Sequence, residues 1–341
     1  MKSLFLIYSL LLLASLGISG CSGNEDFCGD ENGLLGRELS FNTEISLLNK
    51  ILTDDGDGTS IPVYWDASDL VSVYSPQSTT VRKLTVYKVN KEGDSSTFFS
   101  LKTGQTGLTW NSAGNAQSFC SFFPSTAATF SGVEGSILAT ATLPSAQNGR
   151  SAANGFMAGY QYTDAAPLKL HFAPLMNVLR LKIVDSHLNA DAAHTVSAIV
   201  IKSKQTPSKK VSGTLKVGYP SSSVSNLGAG SFTCDVSSAT GDSIVITGSA
   251  LTSITNSALN VTAYLLPQSY NSLKITVYTN SNKNYVAKSA FYFTTFAKSS
   301  VCDLAFGNLD GVTTIPRKDK KDYSEFGSSQ FLFAHNLLQI E

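Results

Sequence analysis

The sequence carries no surplus of charge. Lysine plus arginine and aspartate plus glutamate number 25 each, and charged residues make up only 15% of the 341. Without a basic stripe there is no electrostatic footprint for nucleic acid, so DNA and RNA drop out as partners. The one dense basic cluster, Arg317–Lys321 (RKDKK), is short and interrupted by Asp319, as suits a solvated linker. Histidine is scarce: His171, His187, His194 and His335 are not spaced as metal ligands, and the five cysteines include no C-x-x-C pair. H-E-x-x-H, G-x-S-x-G, phosphate-binding glycine loops and dinucleotide fingerprints are all missing. The sequence therefore leads us to expect no enzyme, no metal site and no cofactor. His171, beside Phe172 in an alternating stretch, suits a packed strand position better than a catalytic base.

Long apolar runs are also missing, with one exception. Leu4–Gly17 (LFLIYSLLLLASLG) follows Met1 and Lys2 and falls short of the ~20 residues that span a bilayer. It has the pattern of a secretory signal peptide, residues 1–20, and the mature chain is expected to lack a transmembrane helix. Its last residues and the next cysteine, Ile18–Cys21 (ISGC), resemble a bacterial lipobox. That resemblance implies cleavage between Gly20 and Cys21 and a lipid on Cys21. Each buried methylene of an acyl chain adds about 0.8 kcal/mol, so several chains hold a protein stably at a membrane. Glu25 and Asp26 resemble the acidic signal that sends such lipoproteins to the outer face of the outer membrane. Cys28, Cys120, Cys234 and Cys302 are scattered; an exported chain permits disulfides among them, and burial as small hydrophobes is equally compatible with their spacing.

What the sequence has in abundance is alternation. Residues 21–36 are acidic, Gly-rich and unpatterned, as a tether is. Leu39, Phe41, Ile45 and Leu47 then alternate with Ser40, Asn42, Glu44 and Ser46, the period-two signature of a half-buried strand. Similar runs recur at 70–75, 83–89, 118–123, 168–172, 178–184, 197–202, 259–266, 273–279 and 289–296, separated by Gly, Ser, Asn and Pro clusters. No long helical stripe appears. We therefore expect a mostly β protein of two tandem β-sandwich domains, residues 37–185 and 186–312, with the pattern pausing at Asp185–His194. Residues 313–341 form a linker and a last alternating segment in which Leu332, Ala334, Leu338 and Ile340 share one parity. Asp54–Ser60 (DDGDGTS) has the carboxylates for calcium but lacks the later bidentate Glu of an EF-hand loop, and is expected to be a turn.

The order of the pieces resembles the fimbrillin family, the lipoprotein subunits of type V pili in anaerobic Gram-negative bacteria. A lipobox is followed by Arg37–Ile45 (RELSFNTEI), then Tyr64–Ser75 (YWDASDLVSVYS), then Leu108–Pro124 (LTWNSAGNAQSFCSFFP). Trp65, Asp69, Trp110 and Pro124 match the family landmarks; Leu143–Gly149, Gly155–Tyr160, Leu168–Val184 and Tyr264–Ser269 are similar to later ones. The resemblance implies two sandwiches of transthyretin-like, Greek-key type and polymerisation by donor-strand exchange. In that mechanism a protease removes the first strand and an extension of another subunit fills the groove, which is β-augmentation. It implies Leu39, Phe41, Ile45 and Leu47 as the removable strand, and Leu332, Ala334, Leu338 and Ile340 as a donor strand; a final strand of the same domain is the alternative for that tail. Family processing is Arg-specific, yet Arg37 precedes the first strand and the next arginine is Arg82. That departure points either to an anchor, tip or accessory subunit that keeps its lipid or to processing by another enzyme. Asp242–Ile244 (DSI) resembles a three-residue O-glycosylation signal of the same bacteria, with Ser243 as its acceptor. The partners implied are the outer membrane through Cys21, other pilus subunits, and a host or bacterial surface ligand. A lipid-anchored carbohydrate- or host-ligand-binding sandwich that does not polymerise is the other function compatible with the sequence.

Overall fold

Phe41, Thr43 and Ile45 are buried while Asn42 is exposed, so the first alternating run is a strand with one face in a core. The structure, a computed structural model, describes residues 41–45, 48–51, 60–61, 64–78, 84–89, 96–111, 115–149, 152–164, 166, 168–184, 195–252, 254–255, 258–279, 286–296, 300–307 and 338–339. The signal peptide, the tether and most of residues 308–341 lie outside them, as does the expected boundary at 185–194 and the loop at 52–59.

Among the described residues the regular structure is strand, with three short 3-10 turns and no α-helix. In chain order the first strands are β1 (Phe41–Ile45), β2 (Leu48–Ile51), β3 (Ser60–Ile61), β4 (Leu70–Tyr74), β5 (Leu84–Val89), β6 (Ser96–Leu101) and β7 (Gln117–Phe123). Next come β8 (Ala128–Ser131), β9 (Leu138–Leu143), β10 (Ala146–Gln147), β11 (Met157–Thr163), β12 (Leu168–Pro174), β13 (Asn177–Val184), β14 (Val196–Ser203) and β15 (Gly213–Gly218). The last are β16 (Thr233–Asp235), β17 (Ser243–Ile246), β18 (Ile254–Thr255), β19 (Ala258–Leu265), β20 (Tyr270–Thr279), β21 (Val286–Phe296), β22 (Ser300–Gly307) and β23 (Leu338–Gln339). The runs from 70–75 to 289–296 each coincide with one of these strands, the first run does so over Phe41–Ile45, and the mostly β class holds; of the last alternating segment only Leu338–Gln339 is among the described residues.

The first sheet departs from the expected sandwich. Seven strands, in the order β1-β12-β11-β7-β4-β5-β6, close into a barrel because β1 pairs with β12 on one side and β6 on the other. Closure removes the exposed edges that an open sheet would carry. The remaining strands form two six-stranded sheets, β10-β17-β14-β20-β21-β23 and β18-β19-β13-β22-β2-β3, and a four-stranded sheet, β16-β15-β9-β8. Pairing does not follow chain order. β2 pairs with β22 and β10 with β17, so residues 48–51 and 146–147 belong to sheets built largely from later strands, while β9 pairs with both β8 and β15.

Two apolar cores result. Phe41, Trp65, Phe99, Trp110, Phe119 and Phe172 fill the barrel. A larger core takes Leu179, Leu181 and Ile183 from β13, Ile199 and Ile201 from β14, and Leu273, Ile275 and Val277 from β20, which is the facing-sheet arrangement of a sandwich. β7 belongs to both: Phe119 and Phe123 point into the barrel, whereas Cys120 and Phe122 point into the larger core. Every residue of β7 is buried.

Candidate functional site

The seam that β1 closes is the feature that sets this barrel apart. β1 runs parallel to β12, with Phe41 opposite Leu168, Thr43 opposite Leu170 and Ile45 opposite Phe172. It runs antiparallel to β6, with Phe41 opposite Phe99 and Thr43 opposite Thr97. Because side chains alternate across a strand, these residues form rungs across the barrel wall: Phe99, Phe41, Leu168; then Thr97, Thr43, Leu170; then Ile45, Phe172.

Each rung has its own chemistry. Phe41 meets Tyr87 edge-on at 5.0 Å between centroids and Phe119 at 5.6 Å, the aromatic geometry that places a positive ring edge on a negative face. Thr43 is wholly buried and its Oγ1 donates to the carbonyl of Thr97 at 3.2 Å, which satisfies a hydroxyl that would otherwise cost free energy in an apolar interior. Ile45 completes the wall beside Phe172, which also meets Trp65 edge-on at 5.1 Å. Burial of Phe41 and Ile45 stabilises β1 by about 1.5–3 kcal/mol each.

Trp65 and Trp110 pack in the core of this barrel. Trp65 packs among Phe99, Phe123 and Phe172, and its Nε1 has no hydrogen-bond partner among the described residues, so it acts as an apolar wedge. Asp66 and Asp69 close the turn behind it: Asp66 N donates to the Asp69 carboxylate at 2.8 Å, and Asp69 N to the Asp66 carbonyl at 3.0 Å. Burial pushes the Asp69 carboxyl above its ordinary value, while hydrogen bonds from the Ser68 backbone and hydroxyl hold Asp66 below. Trp110 meets Phe119 edge-on at 5.6 Å. Gln117, fully buried, donates to Ser75 Oγ at 2.8 Å and accepts from Asn111 N at 3.0 Å, pinning the Trp110 segment to β7.

Of the expected strand residues, Phe41 and Ile45 lie in the seam; Leu39 and Leu47 are outside the described residues, as are Gly20, Cys21 and Arg37. Leu338 lies in β23, opposite Phe293 of β21 on the edge of a six-stranded sheet, and Leu332, Ala334 and Ile340 are outside the described residues. Ser243 begins β17, half-buried, and its carbonyl accepts from Ser212 Oγ at 3.2 Å. His171 is half-buried on β12 opposite Glu44; the other histidines are outside the described residues. Cys120 is a wholly buried thiol that burial pushes well above its ordinary pKa, which makes it a packing group rather than a nucleophile. No group of three or more potential metal ligands occurs among the described residues.

Thr43 and the wall residues Tyr87, Phe99, Thr97 and Leu170 were not legible as site residues. Thr43 shares the inward parity of Phe41 and Ile45, but a polar side chain between them does not mark a wall residue in the sequence, and the parallel partner of β1 lies more than 120 residues away in the chain.

No family model and no curated protein sequence matches this chain. Solved structures similar to it include a proposed cell adhesion protein from Bacteroides ovatus, with TM-score 0.45 and 15% identity over 83% of this chain and 96% of that one. A proposed cell adhesion protein from Bacteroides uniformis has TM-score 0.47 and 13% identity over 80% and 93%. A fimbrial assembly protein from Parabacteroides distasonis has TM-score 0.34 and 9% identity over 81% and 92%.

Proposed function

We propose that this protein is a fimbrillin-like, non-enzymatic subunit of a cell-surface pilus. It is held at the outer membrane by lipid on Cys21 and joins other subunits by exchange of its first strand. The observation that carries the proposal is the seam. One five-residue strand, the first that the structure describes, completes a closed barrel between two strands that do not otherwise pair. Its departure would leave unpaired backbone groups on β6 and β12 and an apolar groove lined by Tyr87, Phe99, Phe119 and Phe172, which an incoming strand satisfies together. The unmatched position of Arg37, ahead of β1, suits an anchor or accessory subunit that retains its lipid until another cut is made. Mass spectrometry of the amino terminus of protein recovered from assembled fibres tests this. A terminus beyond Leu47 is expected of a polymerising subunit and a lipidated Cys21 of an anchor; full-length, unlipidated protein that never enters fibres would overturn the proposal.

A further inference from the structure

We propose that the outer face of the sheet β10-β17-β14-β20-β21-β23 carries a site for a tetrahedral oxyanion, a phosphate or sulfate ester, held by Lys202, Lys274 and the hydroxyl of Ser272. The site stands apart from strand exchange, since none of these residues belongs to the barrel.

The two faces of this sheet are fixed by the larger core. Ile199 and Ile201 of β14 and Leu273, Ile275 and Val277 of β20 point into it. Side chains alternate along a strand, so Lys202 of β14 and Ser272 and Lys274 of β20 lie on the opposite face. There the register sets Lys202 directly across from Lys274, with Ser243 of β17 on the other side of Lys202. One step past the end of β14, Lys204 N donates to the Ser272 carbonyl at 3.1 Å, which brings another exposed lysine beside Ser272.

Like charges directly opposite one another on neighbouring strands destabilise a sheet. Between β13 and β22 the register sets Arg180 opposite Asp303, the favourable arrangement. The lysine pair has no such relief within its own sheet. The six strands contain Lys202, Lys274 and Lys288 but neither aspartate nor glutamate, in a chain whose acidic and basic residues number 25 each. Asp242, which precedes β17, is paired with Lys210 at 2.5 Å. Lys274 is half-buried, and partial burial weakens the solvent screening between two like charges.

Ser272 adds an independent observation. It is 4% exposed, and its Oγ has no hydrogen-bond partner among the described residues. A buried hydroxyl costs free energy until a partner reaches it. An anionic oxygen accepts from the hydroxyl and neutralises the two ammoniums together. Two ammoniums and a hydroxyl are separate point donors, which match the free oxygens of a phosphate or sulfate ester. A planar carboxylate is better matched by the fork of an arginine, and no strand of this sheet contains one.

The test uses the full chain with its lysines dimethylated by isotopically labelled formaldehyde, which keeps their charge. Their methyl signals are followed by NMR as inorganic phosphate, and separately sulfate, replaces chloride at constant ionic strength. The Lys202 and Lys274 signals are expected to shift and saturate, and Ser272→Ala and Lys202→Gln each to weaken the apparent affinity about tenfold. Shifts spread evenly over all lysines without saturation would show general screening and overturn the proposal. Without ligand and in low salt, Lys202→Gln is expected to raise the thermal midpoint because it removes the opposed charge; a lowered midpoint would make Lys202 a structural partner and count equally against the site. The carrier of the ester is read by sedimentation with phosphatidylglycerol vesicles and by retention on dextran sulfate, each repeated with Lys202→Gln. Loss of sedimentation assigns the site to lipid headgroups, and loss of retention to a sulfated polysaccharide. Indifference of both to the substitution would sink the proposal.

Discussion

β1 and β7 both line the barrel and both bring phenylalanine to its core, but they are held in different ways. β1 buries one face, and its wall contacts end at the seam. β7 buries both faces: Phe119 and Phe123 serve the barrel, Cys120 and Phe122 the larger core, and Tyr219 OH from beyond β15 donates to the Ser121 carbonyl at 2.6 Å. A strand buried on one face can leave with a local loss of packing. A strand buried on both can leave only if two cores come apart. The contrast predicts where the molecule opens.

The largest effect is expected at Phe122, which packs in the larger core against Phe156 at 5.5 Å and whose carbonyl accepts from Ser72 Oγ in the barrel. Phe122→Ala should cost about 3–5 kcal/mol of global stability. Denaturant unfolding should show a lower midpoint, and hydrogen exchange should accelerate in β7, in β13 and in β1 together. Acceleration confined to the barrel would show that β7 does not join the two cores.

Phe41→Ala removes a ring of the same size from the one-faced strand, with a cost of about 3 kcal/mol. Its loss should be local: amides of β1 and the facing edges of β6 and β12 exchange faster, while those of β13 and β19 keep their protection. Equal acceleration in β13 would erase the distinction between the two strands. A milder case is Tyr219→Phe, which deletes the buried bond to β7 at a cost of about 1 kcal/mol and leaves β1 exchange unchanged.

These differences also mark what the sequence could and could not convey. Alternation at Phe41 to Ile45 and across β13 is a local property, and each of these elements was legible because a one-faced strand has to alternate. From Ser118 to Phe123 β7 is apolar or small, so its run of buried residues announces a strand but not that it serves two cores. Closure was not legible at all. It depends on Thr43 meeting Thr97 and Leu170, partners that only tertiary pairing brings together, and on a parallel contact that leaves no trace in local pattern. The seam was thus visible as a strand with suitable residues, while its pairing partners were not.

The smallest effect sharpens the contact that β7 and its neighbour β11 make outside the barrel. Burial pushes the Tyr160 phenol up to about 12, from an ordinary value of 10.0. Between those values an unfolded chain has released the phenolic proton and the folded chain has kept it, so the unfolded state binds fewer protons and native stability falls as pH rises through the window. Below pH 10 the group contributes no slope. Tyr160→Phe should therefore follow the parent closely in urea unfolding at pH 9 and lose less stability than the parent at pH 11. Tyr219, pushed up well beyond its ordinary value by its own burial, keeps part of the slope in both proteins. Identical losses in parent and variant would place Tyr160 in contact with solvent, and the outer face of β11 would then be less tightly covered than that of β7.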